Sequence, residues 1–411
     1  MIGASMRSVM PIALAAAVVA LAGCGGGGGG SSSTPATPTP TPTPTNNVQP
    51  IVVDMGTGGF ANLLFTSVTV CAPGGSSNCQ TIDHIQIDTG SSGLRIIASV
   101  LSPPVAVALR QQTDAGGNPI AECAQFVDGF SWGPVKVADI HLAGEVASSV
   151  PIQVIGDPAF PTIPASCSNV GPPENTVDAF GANGVLGIGL FLQDCGAACA
   201  QFLVPGTYYS CPPTGCQSAA LAVAQQLQNP VALFAADNNG AVIKLPAIPA
   251  AGAATVSGSL IFGIGTQSNN GTAGVTIIFV DPNTGNFTTV FNNQTYAGSY
   301  ADSGSNAFFF GTSVFPTCTV SSDFYCPATM QNLSATIRGT NGVASAVNFS
   351  VANADQLVMN SQNFYAFNDL AGVNSDATSF AWGLPFYYGR NVYTAIEGRS
   401  TPAGLGPYVG F

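Results

Sequence analysis

From about Asn47 to Phe411 the chain is a succession of short apolar runs, four to nine residues long, broken by Gly, Pro, Asn and Ser. The clearest are Leu63–Cys71 (LLFTSVTVC), Ile82–Ile87, Val135–His141, Ser259–Phe262, Val275–Val280, Phe287–Phe291 and Val392–Ile396. They are rich in Val, Ile, Phe and Thr, the residues that suit a pleated surface, and turn formers separate them. Helical periodicity is scarce. Its best instance is Ser218–Gln228 (SAALAVAQQLQ), where Ala, Leu and Gln favour a helix,. The pattern predicts an all-β chain with one helix at that position. At 411 residues it exceeds one typical domain and can bury a large core,.

Only 7% of the residues are charged, against about 25% in an ordinary domain. The mean hydropathy of +0.34, with 49 Gly and 30 Pro, excludes disorder for the bulk of the chain and fits apolar strands joined by many turns,. A net charge of −12 argues against nucleic acid and against an anionic lipid surface as electrostatic partners,.

The N-terminus changes the picture. Arg7 precedes an apolar run, Ile12–Leu21, too short to span a bilayer as a mature helix,. It ends in Leu21-Ala22-Gly23-Cys24, which resembles the bacterial lipobox. That resemblance implies a signal over residues 1–23 and acylation of Cys24, with several acyl chains giving a stable anchor. With Gly25 rather than Asp after the cysteine, it also implies the outer membrane as destination. Removing Arg7 from eight basic residues against twenty acidic ones leaves a mature charge of −13. A Gly and Ser run and then alternating Thr-Pro follow, so residues 24–47 read as a tether,. The Thr34–Thr45 stretch, as polyproline II, reaches about 40 Å.

Eleven cysteines fit export. With Cys24 lipidated, ten remain, enough for five disulfides in an oxidising compartment. Cys71 and Cys79 bracket a turn-like loop, as do Cys318 and Cys326, and both pairs are expected to bridge. The pairing of Cys123, Cys167, Cys195, Cys199, Cys211 and Cys216 stays open. The Cys195–Cys216 cluster lacks zinc-site spacing. No Walker loop, dinucleotide fingerprint or solenoid repeat occurs, and His84 and His141 stand apart from any nucleophile, so neither a metal nor a cofactor is expected.

The candidate chemistry lies in two short motifs, Asp88-Thr89-Gly90-Ser91-Ser92 and Asp302-Ser303-Gly304-Ser305. Each sets an Asp at the end of an apolar strand-like segment, then a hydroxyl residue, Gly and Ser. A bulky apolar stretch follows each, Leu94–Ile97 and Phe308–Phe310. One such motif is an ordinary turn. Two, 214 residues apart, suggest two related lobes facing each other.

These motifs resemble those of the pepsin-like aspartic peptidases. Three further segments, in that family's order, extend the resemblance over about residues 48–411: Asn183–Gly189 (NGVLGIG), Gly258–Gly263 (GSLIFG), and Trp382–Phe386 (WGLPF) followed by Tyr393–Ile396. The chain also resembles a bacterial lipoprotein family of unknown function with the signature DTGSSGLR. The resemblance implies a two-lobed β fold, residues 48–265 and 266–411, with a cleft between the lobes and an extended polypeptide as substrate. Asp88 and Asp302 would be the catalytic carboxylates. Close together they share one proton, so one acts as general base on water and the other polarises the carbonyl. Thr89 and Ser303 would bond across the interface, Ser91 and Ser305 would bond the outer carboxylate oxygens, and Gly90 and Gly304 would let backbone approach. An optimum on the acid side of neutral follows.

Three positions depart from that family's pattern. The hairpin Phe126–His141 stands where a flap would carry a Tyr, and its tip has Phe126. Arg95 replaces an aromatic, and Leu384 replaces an acidic residue. Phe130 and Trp132 either cover the cleft or pack under the hairpin. The expectation is thus a monomeric envelope peptidase without a pro-segment. The alternative is a weakly active or inactive binding and assembly lipoprotein of the same fold.

Overall fold

The computed structural model of the protein describes residues 46–75, 78–361 and 363–411. The signal, Cys24 and the tether up to residue 45 lie outside the described residues. The rest is all-β, as the apolar runs predict. Each run forms a strand, with bounds Leu64–Cys71, Cys79–Asp88, Phe130–Leu142, Val256–Phe262, Ile277–Phe279, Phe287–Phe291 and Asn391–Ala395.

Among the described residues the strands form a sheet of sixteen, a sheet of seven and a two-stranded ribbon. The large sheet passes through Phe130–Leu142, Glu145–Ile155, Ser92–Ile97, Gly184–Ile188, Cys79–Asp88, Leu64–Cys71 and Val48–Val53. It then continues through Val256–Phe262, Gly240–Lys244, Asn391–Ala395 and Tyr408–Gly410 to Ile277–Phe279. Strands from the last third of the chain thus complete a sheet begun by the first. The seven-stranded sheet holds Phe287–Phe291, Gln294–Ala301, Phe308–Phe310 and Phe380–Trp382, with Ala344–Val351 at one edge.

Burial explains the strand that matters most. In Cys79–Asp88 the outer half is exposed in part, while Ile85, Gln86, Ile87 and Asp88 are fully buried. The strand therefore enters the core at its C-terminal end. Gly184–Ile188 is apolar throughout and buried on both faces, which suits a strand paired on both sides,. The second half packs an aromatic nest, with Phe380 stacked between Phe310 at 4.6 Å and Trp382 at 4.5 Å.

The expected helix at Ser218–Gln228 does not form. Only a single 3₁₀ turn, Val223–Gln225, occurs there, after the two-residue strand Gln217–Ser218. Its backbone donors are used elsewhere: Ala219 N bonds Tyr208 O, Leu221 N bonds Cys199 O, and Leu227 N bonds the Tyr208 hydroxyl. Leu221 and Leu227 are drawn to one buried cluster with Tyr208 and Cys199. Tertiary pairing overrides a propensity worth only tenths of a kcal/mol per residue.

Among the described residues five disulfides join Cys71–Cys79, Cys123–Cys167, Cys195–Cys199, Cys211–Cys216 and Cys318–Cys326. The four-cysteine cluster is therefore two short bridges. Cys318, Cys326 and Asp355 lie close together, but the two sulfurs are bonded to each other.

Candidate active site

The two Asp motifs sit at the ends of two strands that meet in the core. Cys79–Asp88 runs parallel to Gly184–Ile188, with Asp88 opposite Gly187. Gln294–Ala301 runs parallel to Phe380–Trp382, with Ala301 opposite Trp382. The chain leaving each motif returns antiparallel to the same partner: Ser92–Ile97 to Gly184–Ile188, and Phe308–Phe310 to Phe380–Trp382. One local topology is built twice. A Gly lies beside each motif, Gly187 within the first partner strand and Gly383 just after the second, since a Cβ on either would meet backbone of residues 91–92 or 305–307 within 3 Å.

Each Asp is bound the same way. Gly90 N donates to Asp88 Oδ1 at 2.8 Å and Ser91 Oγ to Oδ2 at 2.5 Å. Gly304 N donates to Asp302 Oδ1 at 2.7 Å and Ser305 Oγ to Oδ2 at 2.8 Å. The carboxyls lie against each other, since a Cβ built on Gly304 would stand 2.6 Å from Asp88 Oδ1 and 3.1 Å from Asp302 Oδ1, and both residues are 0% exposed. A Cβ on Gly90 would lie 2.9 Å from the Asp302 carboxyl. Only glycine fits at either place.

The loops also hold each other. Thr89 N donates to Ser303 Oγ at 3.2 Å and Ser303 N to Thr89 Oγ1 at 2.9 Å. Ser303 Oγ donates onward to Ile87 O, and Gln86 Nε2 reaches Gly304 O at 3.1 Å. Burial, and then the neighbouring Asp88 carboxyl, push the Asp302 carboxyl well above the usual carboxylate range,. Two adjacent buried carboxyls with neutral donors around them hold one proton between them more readily than two charges. Such a pair can take a proton from water and give one to a carbonyl oxygen in a single site.

A family model described as a protein of unknown function, DUF3443, matches residues 43–411. The chain belongs to the DUF3443 family. No curated protein matches it.

In this DUF3443 protein the hairpin of Ile120–Gln125 and Phe130–Leu142 turns at Phe126, whose N–H bonds Gly129 O. Phe126 is buried against the edge of Phe180 at 6.2 Å and has no hydroxyl to offer. Phe130 and Trp132 stand on the second strand of the hairpin, Phe130–Leu142, and are buried. Both are 2% exposed, and Trp132 packs on Tyr209 at 5.1 Å and donates Nε1–H to Phe160 O. The hairpin is pinned by the Cys123–Cys167 bridge and by bonds between Phe130 and the Pro172–Glu174 segment. Leu384 is fully buried and acts through its main chain, donating N–H to Ser305 O at 2.7 Å.

The partners of three residues had no sequence signal. Arg95 turns inward to a buried cluster. Its Nη2 lies 2.6 Å from Glu122 Oε1 and 3.4 Å from Asp194 Oδ2, and the Tyr208 hydroxyl donates to Asp194 at 2.7 Å. Burial works to lower the guanidinium's affinity for its proton, but the two carboxylates outweigh it and hold it above its ordinary value. Burial, then Glu122, push Asp194 well above the carboxylate range. Glu122 belongs to the hairpin, so Arg95 ties the hairpin to the strand that leaves the Asp88 motif. Asn62 is the second. Fully buried at φ 56°, it donates to Asn306 O and Phe367 O and accepts from Phe367 N and the Tyr388 hydroxyl. The third is Tyr387, whose hydroxyl lies 2.9 Å from Thr89 Oγ1. All are single residues whose partners are distant in sequence, so no local pattern marks them.

Proposed function

We propose that this DUF3443 protein is an aspartic-type endopeptidase of the bacterial cell envelope, with a two-lobed pepsin-like fold and a membrane anchor at Cys24. The observation that carries the reading is the duplicated carboxyl pair, Asp88 and Asp302, each held by its own Gly N–H and Ser hydroxyl and lying against the other. The lobes are residues 48–265 and 266–411, and an extended polypeptide lies between them. The ionised carboxylate takes a proton from water as that water attacks the peptide carbonyl. The protonated carboxyl donates to the carbonyl oxygen, and the proton taken from water passes to the leaving amine. The cross-loop bonds of Thr89 and Ser303 fix the spacing on which this depends.

A second reading, a binding or assembly lipoprotein of the same fold, draws on the hairpin. Its tip has Phe126 without a hydroxyl, and it is pinned on two sides. Incubation of the lipid-free protein with a denatured protein mixture between pH 3 and 7 separates the two. The peptidase reading expects new termini, found by mass spectrometry, that Asp88→Asn protein does not generate. Intact substrate at every pH, with retained peptide binding, would replace it with the second reading.

A further inference from the structure

Tyr387 follows a 3₁₀ turn, Leu384–Phe386, whose Leu384 N–H already bonds Ser305 O. The turn therefore fixes Tyr387 against the second Asp motif. Its side chain is 0% exposed, and its ring meets Phe386 edge-on at 5.8 Å. A buried phenol needs a partner, and this one reaches back across the interface to Thr89 Oγ1 at 2.9 Å, in the first motif,.

The bond matters because of what Thr89 Oγ1 does. That oxygen accepts Ser303 N–H at 2.9 Å. Ser303 Oγ, its counterpart, has two partners as well, Thr89 N and Ile87 O. The two hydroxyls thus sit in similar roles with different outer partners, a main-chain carbonyl for Ser303 and the Tyr387 hydroxyl for Thr89. Without Tyr387 the Thr89 hydroxyl loses that fixed outer partner. The titratable groups acting on the Tyr387 hydroxyl are Asp302 and Asp88 themselves.

We propose that Tyr387 is a positioning residue for the carboxyl pair: by holding Thr89 Oγ1 it fixes the Thr89–Ser303 link, and through it the separation of Asp88 and Asp302. The proposal rests on the peptidase reading for its kinetic consequence, though not for its structural one. A looser link weakens the coupling between the carboxyls, so their two apparent pKa values draw together. It also spoils alignment in the transition state more than substrate binding, so kcat falls and KM holds.

The test uses Tyr387→Phe, which keeps the ring and its packing, with Thr89→Val and the double variant. We expect Tyr387→Phe to lower kcat on the order of tenfold, to leave KM unchanged, and to narrow the pH profile. The double variant should be no worse than Thr89→Val alone, because both act through one oxygen. Titration of the carboxyl carbons in ¹³C-Asp-labelled protein should show the two apparent pKa values closer together in Tyr387→Phe. Wild-type pKa separation in that variant, or losses that add fully with Thr89→Val, would overturn the assignment. If the wild-type protein cleaves nothing, the peptidase reading falls, and the carboxyl titration still decides the role of Tyr387.

Discussion

Replacing Arg95 with Met removes one charge from a buried cluster. The Arg95 and Glu122 side chains are 4% and 2% exposed, and Asp194 is 11% exposed. The guanidinium makes two bonds to Glu122 Oε1, at 2.6 and 3.2 Å, and one to Asp194 at 3.4 Å. The first two of those bonds both fall on Glu122 Oε1, so Arg95 is the chief positive charge facing that carboxylate. Breaking a buried pair by removing one member costs about 3–5 kcal/mol, because the other charge stays behind unpaired. At about 2.1 cal/mol/K per residue, unfolding a chain of this size has an entropy near 0.8 kcal/mol/K, so the melting point should fall by about 4–6 °C. The loss depends on pH. Asp194 already has a raised folded pKa, from burial and then Glu122. A group raised on folding contributes stability below its unfolded pKa and loses it as pH rises through the folded value. Arg95 opposes that shift, so without it Asp194 is pushed further up, and the variant should lose most at pH 8 and little at pH 4, where protonation removes the unpaired charge,. Calorimetric melts of Arg95→Met and wild type at both pH values check this. Equal losses at the two pH values, or a variant as stable as wild type at pH 8, would refute the reasoning.

Gly304→Ala places a methyl 2.6 Å from Asp88 Oδ1 and must push the loops apart. It should cut kcat by at least about a hundredfold, as misplacement of reacting groups does, and a wild-type rate would show the loops are not in contact. Cys24→Ser should move the protein from the membrane fraction to the soluble one, read by fractionation and acyl labelling. Retention in the membrane would count against the lipobox reading.

Much of the fold lies open in the sequence, and for a physical reason. Strands such as Leu64–Cys71 carry their own pattern, because burial follows the side chains residue by residue,. The carboxyl pair is legible too, since Asp, a hydroxyl residue, Gly and Ser serve each other within four positions. What escapes is long-range. Ser218–Gln228 has helical composition, yet its donors go to Tyr208 and Cys199. Trp132 beside Tyr209, and Arg95 beside Glu122 and Asp194, depend on which segments meet in space. Tyr387 carries no mark at all, because its partner Thr89 lies 298 residues away.

The most direct test of the central claim is the pH dependence of kcat/KM for peptide cleavage by the lipid-free protein, measured beside Asp88→Asn and Asp302→Asn. A pair that works as base plus acid is competent only while it holds one proton, so the profile should be bell-shaped. With Asp302 pushed up by burial and Asp88, the optimum should be broad and below pH 7. Each single variant should be inactive at every pH while melting like a folded protein. Activity that climbs steadily to pH 9, or that survives in either variant, would contradict a shared-proton pair.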